Sequence, residues 1–251
     1  MTMLRKITLT AIGCASIFFG VAADIFDSHG CAVRISENEK VIWPVFSADS
    51  AFEGAPEALD AMECRGIKGS FFFTGNFLRD TAHRTIINRV IKGGHYVGPH
   101  SDGHLLYADW DRQRTVLVSS DSLLDDMRHN LAELARAGVD TSCVKIIMPP
   151  FEWIERSQTA LLHDSLGLKV INPTPGLEVY RDYTTPDMSY YWSSERLLSQ
   201  MYEFERKEGL NGVVFIMHLG THPSRTDKFY RHLPEILDSL TSLGYRFERL
   251  P

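Results

Sequence analysis

His100 and His104 stand four residues apart in GGHYVGPHSDGHLLYADW, directly after a short apolar run and among turn-forming residues. Imidazoles at that spacing share a face when the chain enters a helix at the first of them. Their ring nitrogens can then hold one divalent ion at about 2 Å each. A carboxylate from another element completes such a site, and Asp49 in VFSADS is the first choice. An ion so held lowers the pKa of water towards about 7 and polarises a carbonyl. His218 closes the apolar run GVVFIMH, where it can give a proton to a leaving group, and Glu152 in MPPFEW can take one. The plainer alternatives are loop histidines bonded to backbone, a core histidine and a solvated glutamate. His222 reads as a surface residue, and His83, His95, His129, His163 and His232 carry no role.

These residues need elements that deliver them together. Strands are expected over Lys40–Ser47, 69–75, 95–98, 144–148, 168–172 and 212–218, with YRFERL closing the chain. Helices are expected over Pro56–Arg65, Thr81–Lys92, Ser120–Ala137, Arg156–Leu166, Ser194–Glu208 and Thr226–Leu243. The alternation implies parallel βαβ units. About seven strands with continuous apolar character predict an α/β fold closed into a barrel, with a doubly wound sheet as the alternative. Asp49, His100, His104 and Glu152 follow strand ends and His218 ends a strand, and strand C-termini share the rim on which barrel enzymes build their sites.

The 251 residues suit one large domain, and a net charge of −6 leaves no footprint for nucleic acid. MTMLRK, an uncharged apolar stretch and Val21-Ala22-Ala23 read as a signal peptide over 1–23, cleaved before a mature domain over 24–251. An uncleaved leader would anchor the protein to a membrane, and lipoprotein processing at Cys14 fits the flanking residues poorly. Export implies a periplasmic or extracellular location. Cys31, Cys64 and Cys143 lack zinc-site spacing; buried free thiols are expected, with one disulfide as the alternative. Oligomeric state is not encoded legibly.

The ordered set VFSADS, IKGSFFFTGNFL, GGHYVGPHSDGHLLY, MPPFEW and GVVFIMHLGTHP resembles the NodB-type polysaccharide deacetylases, carbohydrate esterase family 4. The resemblance runs from about residue 40 to the C-terminus. It implies an irregular (β/α)7 barrel and metal-dependent removal of acetyl groups from an N-acetylated polysaccharide or peptidoglycan-type glycan. His100 and His104 then match the metal ligands, with Asp49 as the third, and His218 matches the general acid. Zinc is the first metal to expect, with nickel or cobalt next. The glycan is the expected partner.

The chain departs from that family in two places. The usual adjacent aspartates, one a base and one a ligand, fall at Ser47-Ala48, with Asp49 one step beyond. The usual arginine of the third motif is Met148, so arginine and partner are lost together. The base is then Asp49, Glu53 or Glu152. Trp153 and Trp110 are the aromatic residues expected to meet a sugar, and Asp182 matches weakly an acidic residue that tunes the histidine. The second reading is a catalytically impaired carbohydrate-binding barrel of the same fold. A barrel glycosidase using Glu152 and Asp49 ranks last because it leaves the histidines idle.

Overall fold

The computed structural model describes residues 24–251. The expected leader over 1–23 lies outside the described residues. Nine strands are assigned among them: β1 (Ile25–Phe26), β2 (Ala32–Arg34), β3 (Val41–Ala48), β4 (Ser70–Phe73), β5 (Tyr96–Pro99), β6 (Ile146–Ile147), β7 (Lys169–Val170), β8 (Val213–Ile216) and β9 (Arg246–Phe247). The helices are α1 (Ala55–Glu63), α2 (Gly75–Arg79), α3 (Arg84–Lys92), α4 (Ser120–Arg136), α5 (Arg156–Leu166), α6 (Ser194–Glu208) and α7 (Leu233–Ser242). Among the described residues, no helix is long and apolar enough to cross a membrane.

Strands β8, β3, β4 and β5 pair in parallel, and β6 pairs in parallel with β7. Two seams separate these groups, and each is closed by a side chain standing in for a backbone ladder. On one side the Tyr96 hydroxyl donates to Ile146 O (2.7 Å) and accepts from Ile146 N (2.9 Å). On the other, the Thr174 hydroxyl donates to Val33 O (2.6 Å) and accepts from Val214 N (3.0 Å). Ala32 bridges Ile171 in parallel, and β2 runs antiparallel to β8. Strands β2 to β8 therefore form a ring, an irregular (β/α)7 barrel as the sequence leads one to expect. The antiparallel pairing of β2 with β8 is a feature that the βαβ pattern does not reveal.

Period-two alternation decides what enters the barrel. Val41, Trp43 and Val45 of β3, Phe72 of β4, Tyr96 of β5, Ile146 and Met148 at β6, and Val214 and Ile216 of β8 pack together inside. Their neighbours Ile42, Phe46, Phe71, Phe73, Val97 and Phe215 pack outward against the helices. Continuing the inward register to the strand ends and just past them reaches Ser47, His100 and His218, so the barrel's own pleat aims these side chains at its upper mouth.

Gly98 occupies an inward position of β5, where a Cβ would stand 2.8 Å from Ile146 O and 2.7 Å from the Tyr96 ring. Backbone cannot yield there without opening the Tyr96 seam. Gly98→Ala is expected to cost about 1–3 kcal/mol through overpacking, read as a lowered denaturant midpoint.

Candidate active site

One cavity of about 690 Å3 opens at the C-terminal rim, and Ser47, Ala48, Asp49, His100, His104, Phe151, Glu152, Trp110, Trp153, Tyr183 and His218 all line it. His100, at the end of β5, is buried, and its Nδ1 donates to Met148 O at 2.8 Å. That bond spends one ring nitrogen and leaves Nε2 as the available donor of electrons. Burial pushes the His100 pKa down to about 3, so the ring is neutral, the form a cation needs. His104 lies beside it, with ring centroids 5.1 Å apart, and its pKa is also lowered, by burial, against the pull of Asp49.

The expected helix at His100 is absent. Ser101 and His104 have φ of 74° and 54°, so a tight loop, not a helical turn, brings the two rings together. Helix α4 imposes that loop through Asp126 and Asn130, one turn apart on the same face. Asn130 Oδ1 accepts from His100 N (2.8 Å), and its Nδ2 donates to Phe73 O (3.1 Å). Asp126 Oδ1 accepts from Asp102 N (3.2 Å) and Gly103 N (3.1 Å), while its Oδ2 accepts from the Tyr107 hydroxyl (2.6 Å). Neither residue stands out in sequence; polar side chains on the apolar face of an amphipathic helix were the only signal.

Asp49 begins one residue beyond β3. Its Oδ1 accepts from the Thr74 hydroxyl at 3.0 Å and faces Asn76 Nδ2 at 3.4 Å; Thr74 also caps α2 by accepting from Phe77 N. Ser47 is buried at the inward position before it, and Ala48 packs with the outer core. Glu53 is drawn away from the cavity, accepting from Thr221 N (3.1 Å) and Lys228 Nζ (3.0 Å). Met148 is wholly buried in the barrel interior, and only its carbonyl meets the site.

The opposite wall carries the proton chemistry. His218 Nδ1 and Asp182 Oδ1 are 2.6 Å apart, and the other oxygen of Asp182 accepts from His218 N at 2.8 Å. Asp182 is fully buried. Burial opposes protonation of His218, but the charge and hydrogen bond of Asp182 outweigh it and raise the pKa. Glu152 sits on a turn where Phe151 and Glu152 both have positive φ, 60° and 52°. Burial pushes its carboxyl up to about 7, aided by Asp182 and opposed by His218.

Trp110 is 58% exposed at the cavity edge. Trp153 is its mount: the rings are 5.4 Å apart, the Arg114 guanidinium covers Trp153 at 3.6 Å, and Trp153 Nε1 donates to Asp109 O. The three cysteines of the described residues are free; only Cys31 is buried as expected, whereas Cys64, at the end of α1, and Cys143, in a surface turn, are exposed.

The residues fit a divalent cation in chemistry: two neutral imidazoles, one with its tautomer fixed, beside a carboxylate. In count they fall short, because among the described residues no three His, Cys, Asp or Glu side chains converge closely enough to hold a metal ion.

The polysaccharide deacetylase family model matches residues 35–171, more than half of the chain. The chain belongs to that family. Its fold is similar to a carbohydrate esterase family 4 pseudoenzyme from Bacillus anthracis (17% identity, 89% of this chain and 68% of that one, TM-score 0.68). It is similar also to the peptidoglycan N-acetylglucosamine deacetylase Bc1960 (18% identity, 86% and 88%, TM-score 0.67). A third similar structure is PdaA of Bacillus subtilis, a family 4 carbohydrate esterase (17% identity, 88% and 83%, TM-score 0.63). Among curated proteins no significant sequence match exists.

A carboxyl held near pH 7 also marks the fold's stability. An unfolded glutamate ionises near its model value of 4.5, and the folded one only at about 7, so stability falls as pH rises between those values. Glu152→Gln removes that cost. It is expected to raise stability at pH 8 by up to about 3 kcal/mol and to change little at pH 4, measured by denaturant titration at both.

Proposed function

We propose that this polysaccharide deacetylase family member hydrolyses an acetyl amide or ester of a glycan, with Glu152 as base and His218 as acid. The observation that carries the reading is the Asp182–His218 pair at 2.6 Å sharing one cavity wall with a carboxyl whose pKa is about 7. Near neutral pH the first holds a proton and the second has begun to lose one, which is the division a hydrolytic acid–base pair needs.

His100, His104 and Asp49 are the residues that would hold a divalent cation, zinc first and nickel or cobalt after it, which would supply Lewis acidity towards the acyl carbonyl. Glu152 takes a proton from the attacking water as its oxygen bonds to the acyl carbon. His218 then gives its proton to the departing nitrogen or oxygen as that bond breaks, releasing acetate and the free amine or hydroxyl. Asp182 keeps the His218 tautomer and stabilises the protonated ring. Trp110 offers a flat face to the sugar, with Trp153 holding it in place. We read residues 1–23 as a leader that exports the domain over 24–251 to the periplasm or the outside of the cell.

The second reading is a binding barrel without turnover. Ser47 and Ala48 at the end of β3 favour it, because neither supplies a carboxylate, and so does the likeness to a pseudoenzyme. Acetate release from acetylated chito-oligosaccharides, with elemental analysis of the same sample, separates the two. Glycan binding without metal or acetate would leave only the binding barrel.

The pH profile of kcat/KM carries a further outcome. It is expected to be bell-shaped. Asp182→Asn lowers the His218 pKa and moves the alkaline limb to lower pH. Glu152→Gln reduces kcat by about 10²–10⁴ and removes the acidic limb. An acidic limb that persists in Glu152→Gln would reassign the base to Asp49.

A further inference from the structure

Asp49 stands one residue beyond β3, so the strand's pleat no longer aims its side chain, and its direction depends on what holds it. The holder is the first turn of α2. Thr74 N donates to Ala48 O (3.1 Å), the buried Thr74 hydroxyl donates to Asp49 Oδ1 (3.0 Å), and Asn76 Nδ2 donates to the same oxygen at 3.4 Å. The same turn grips the histidine loop: Gly75 N donates to Ser101 O and Asn76 N to Asp102 O, both at 3.1 Å. A Cβ on Gly75 would stand 1.8 Å from Asp102 Oδ1, so only glycine lets the loop come this close.

Arg79, at the other end of α2, locks both grips. Three residues after Asn76, it shares the same helix face. Its Nη2 donates to Asn76 Oδ1 (3.0 Å) and its Nη1 to Asp102 Oδ1 (2.6 Å). A guanidinium only donates, so the Asn76 atom that meets it is the oxygen, and the amide NH2 is turned towards the Asp49 carboxylate. The planar fork fixes the two accepting oxygens relative to each other. Asp126 holds the backbone N of Asp102 from α4 (3.2 Å). A row of polar contacts thus runs from Asp49 through Asn76 and Arg79 to Asp102, in the middle of the loop between His100 and His104. The Arg79 side chain is 43% exposed and lies outside the cavity.

We propose that Arg79 is a positioning residue for the cation site: through Asn76 and Asp102 it fixes the Asp49 carboxylate relative to the two imidazoles. This rests on the cation of the reading above and adds to it residues that touch neither ion nor substrate. The role follows from the displaced carboxylate. Ser47 and Ala48 leave the end of β3 without one, so side chains of α2 orient the carboxylate that lies beyond it.

Charge and position predict opposite signs here. Arg79 is a cation, so on charge alone its removal tightens binding of a divalent ion; if it positions Asp49, its removal loosens binding. Calorimetric titration of the mature protein with zinc, after chelation and at fixed ionic strength, reads the sign. Arg79→Met is expected to weaken zinc binding about tenfold, as loss of a residue that orients a metal ligand does. Asn76→Ala is expected to weaken it similarly, and the double variant to lose less than the product of the two losses, because both break one row. Glu133→Gln removes a carboxylate 3.5 Å from Arg79 Nη1 but outside the row, and is expected to leave the affinity unchanged. Thermal unfolding checks each variant. Arg79→Lys, which keeps the charge without the fork, replaces Arg79→Met should that variant not fold, with a smaller loss of the same sign. Affinity unchanged or tightened in Arg79→Met, an equal loss in Glu133→Gln, or losses that multiply in the double variant would overturn the role of Arg79 and leave the cation. A native protein that takes up no zinc overturns the cation and its positioning together. Acetate release is read separately: zinc held without acetate removes the reaction and leaves the positioning.

Discussion

The hydrogen bond from His100 Nδ1 to Met148 O, 2.8 Å long, joins the two halves of this molecule's logic. It spans the seam between β5 and β6, where the backbone ladder thins to Met148 N on Pro99 O at 3.4 Å. A side chain therefore helps to close the barrel at its rim, and the same bond fixes which nitrogen of the ring faces the cavity. Tyr96 closes the seam four residues lower in the same inward register. Fold and site are not separable here. The strand that carries the imidazole is held in the ring partly by that imidazole, so a change that frees His100 also loosens the mouth of the barrel.

Around that bond the chain accepts backbone conformations that side chains rarely adopt. Non-glycine residues with positive φ are Ser36, Ser101, His104, Arg114, Phe151 and Glu152, and all but Ser36 lie in loops at the cavity. Each costs of order 1–3 kcal/mol unless its surroundings over-determine it. The surroundings do so by name. Asp126 and Asn130 bind the 100–104 loop, Phe151 packs on His104 at 4.4 Å between centroids, and Arg114 is pinned between Trp153 and Ile154 O. Strain concentrated in one rim, with dedicated supports from α4, is what a shaped recognition surface requires. A loop serving only to connect strands would relax.

Much of this was legible in the chain itself, for local reasons. Helices α5 and α6 were readable to the residue because their caps are local chemistry: a capping box at Glu155 with Gln158, a left-handed Gly167, and Ser193 before α6. Helix α7 starts later than periodicity predicts, since residues 229–232 form a tighter turn and Pro234 marks the true first turn. Strands β1 and β2 were invisible because two or three residues acquire strand geometry only from partners far along the chain. The loop between His100 and His104 was misread as helical for the same reason. Its shape is set by α4, more than twenty residues away.

The departures from the family pattern form one electrostatic rearrangement. Ser47 and Ala48 remove negative charge from the end of β3, and Met148 removes the positive charge that would have faced it, so neither change leaves a buried ion alone. Negative charge reappears on the far wall, where Glu152 stands near Asp182 and His218. Those neighbours act oppositely: the aspartate resists ionisation of Glu152 and the imidazolium favours it. Burial, together with these opposed neighbours, holds the Glu152 carboxyl at about 7. In the usual arrangement an arginine would hold the base carboxylate ionised outright. Here that control passes to His218, so the two titrating groups of this wall influence each other's charge.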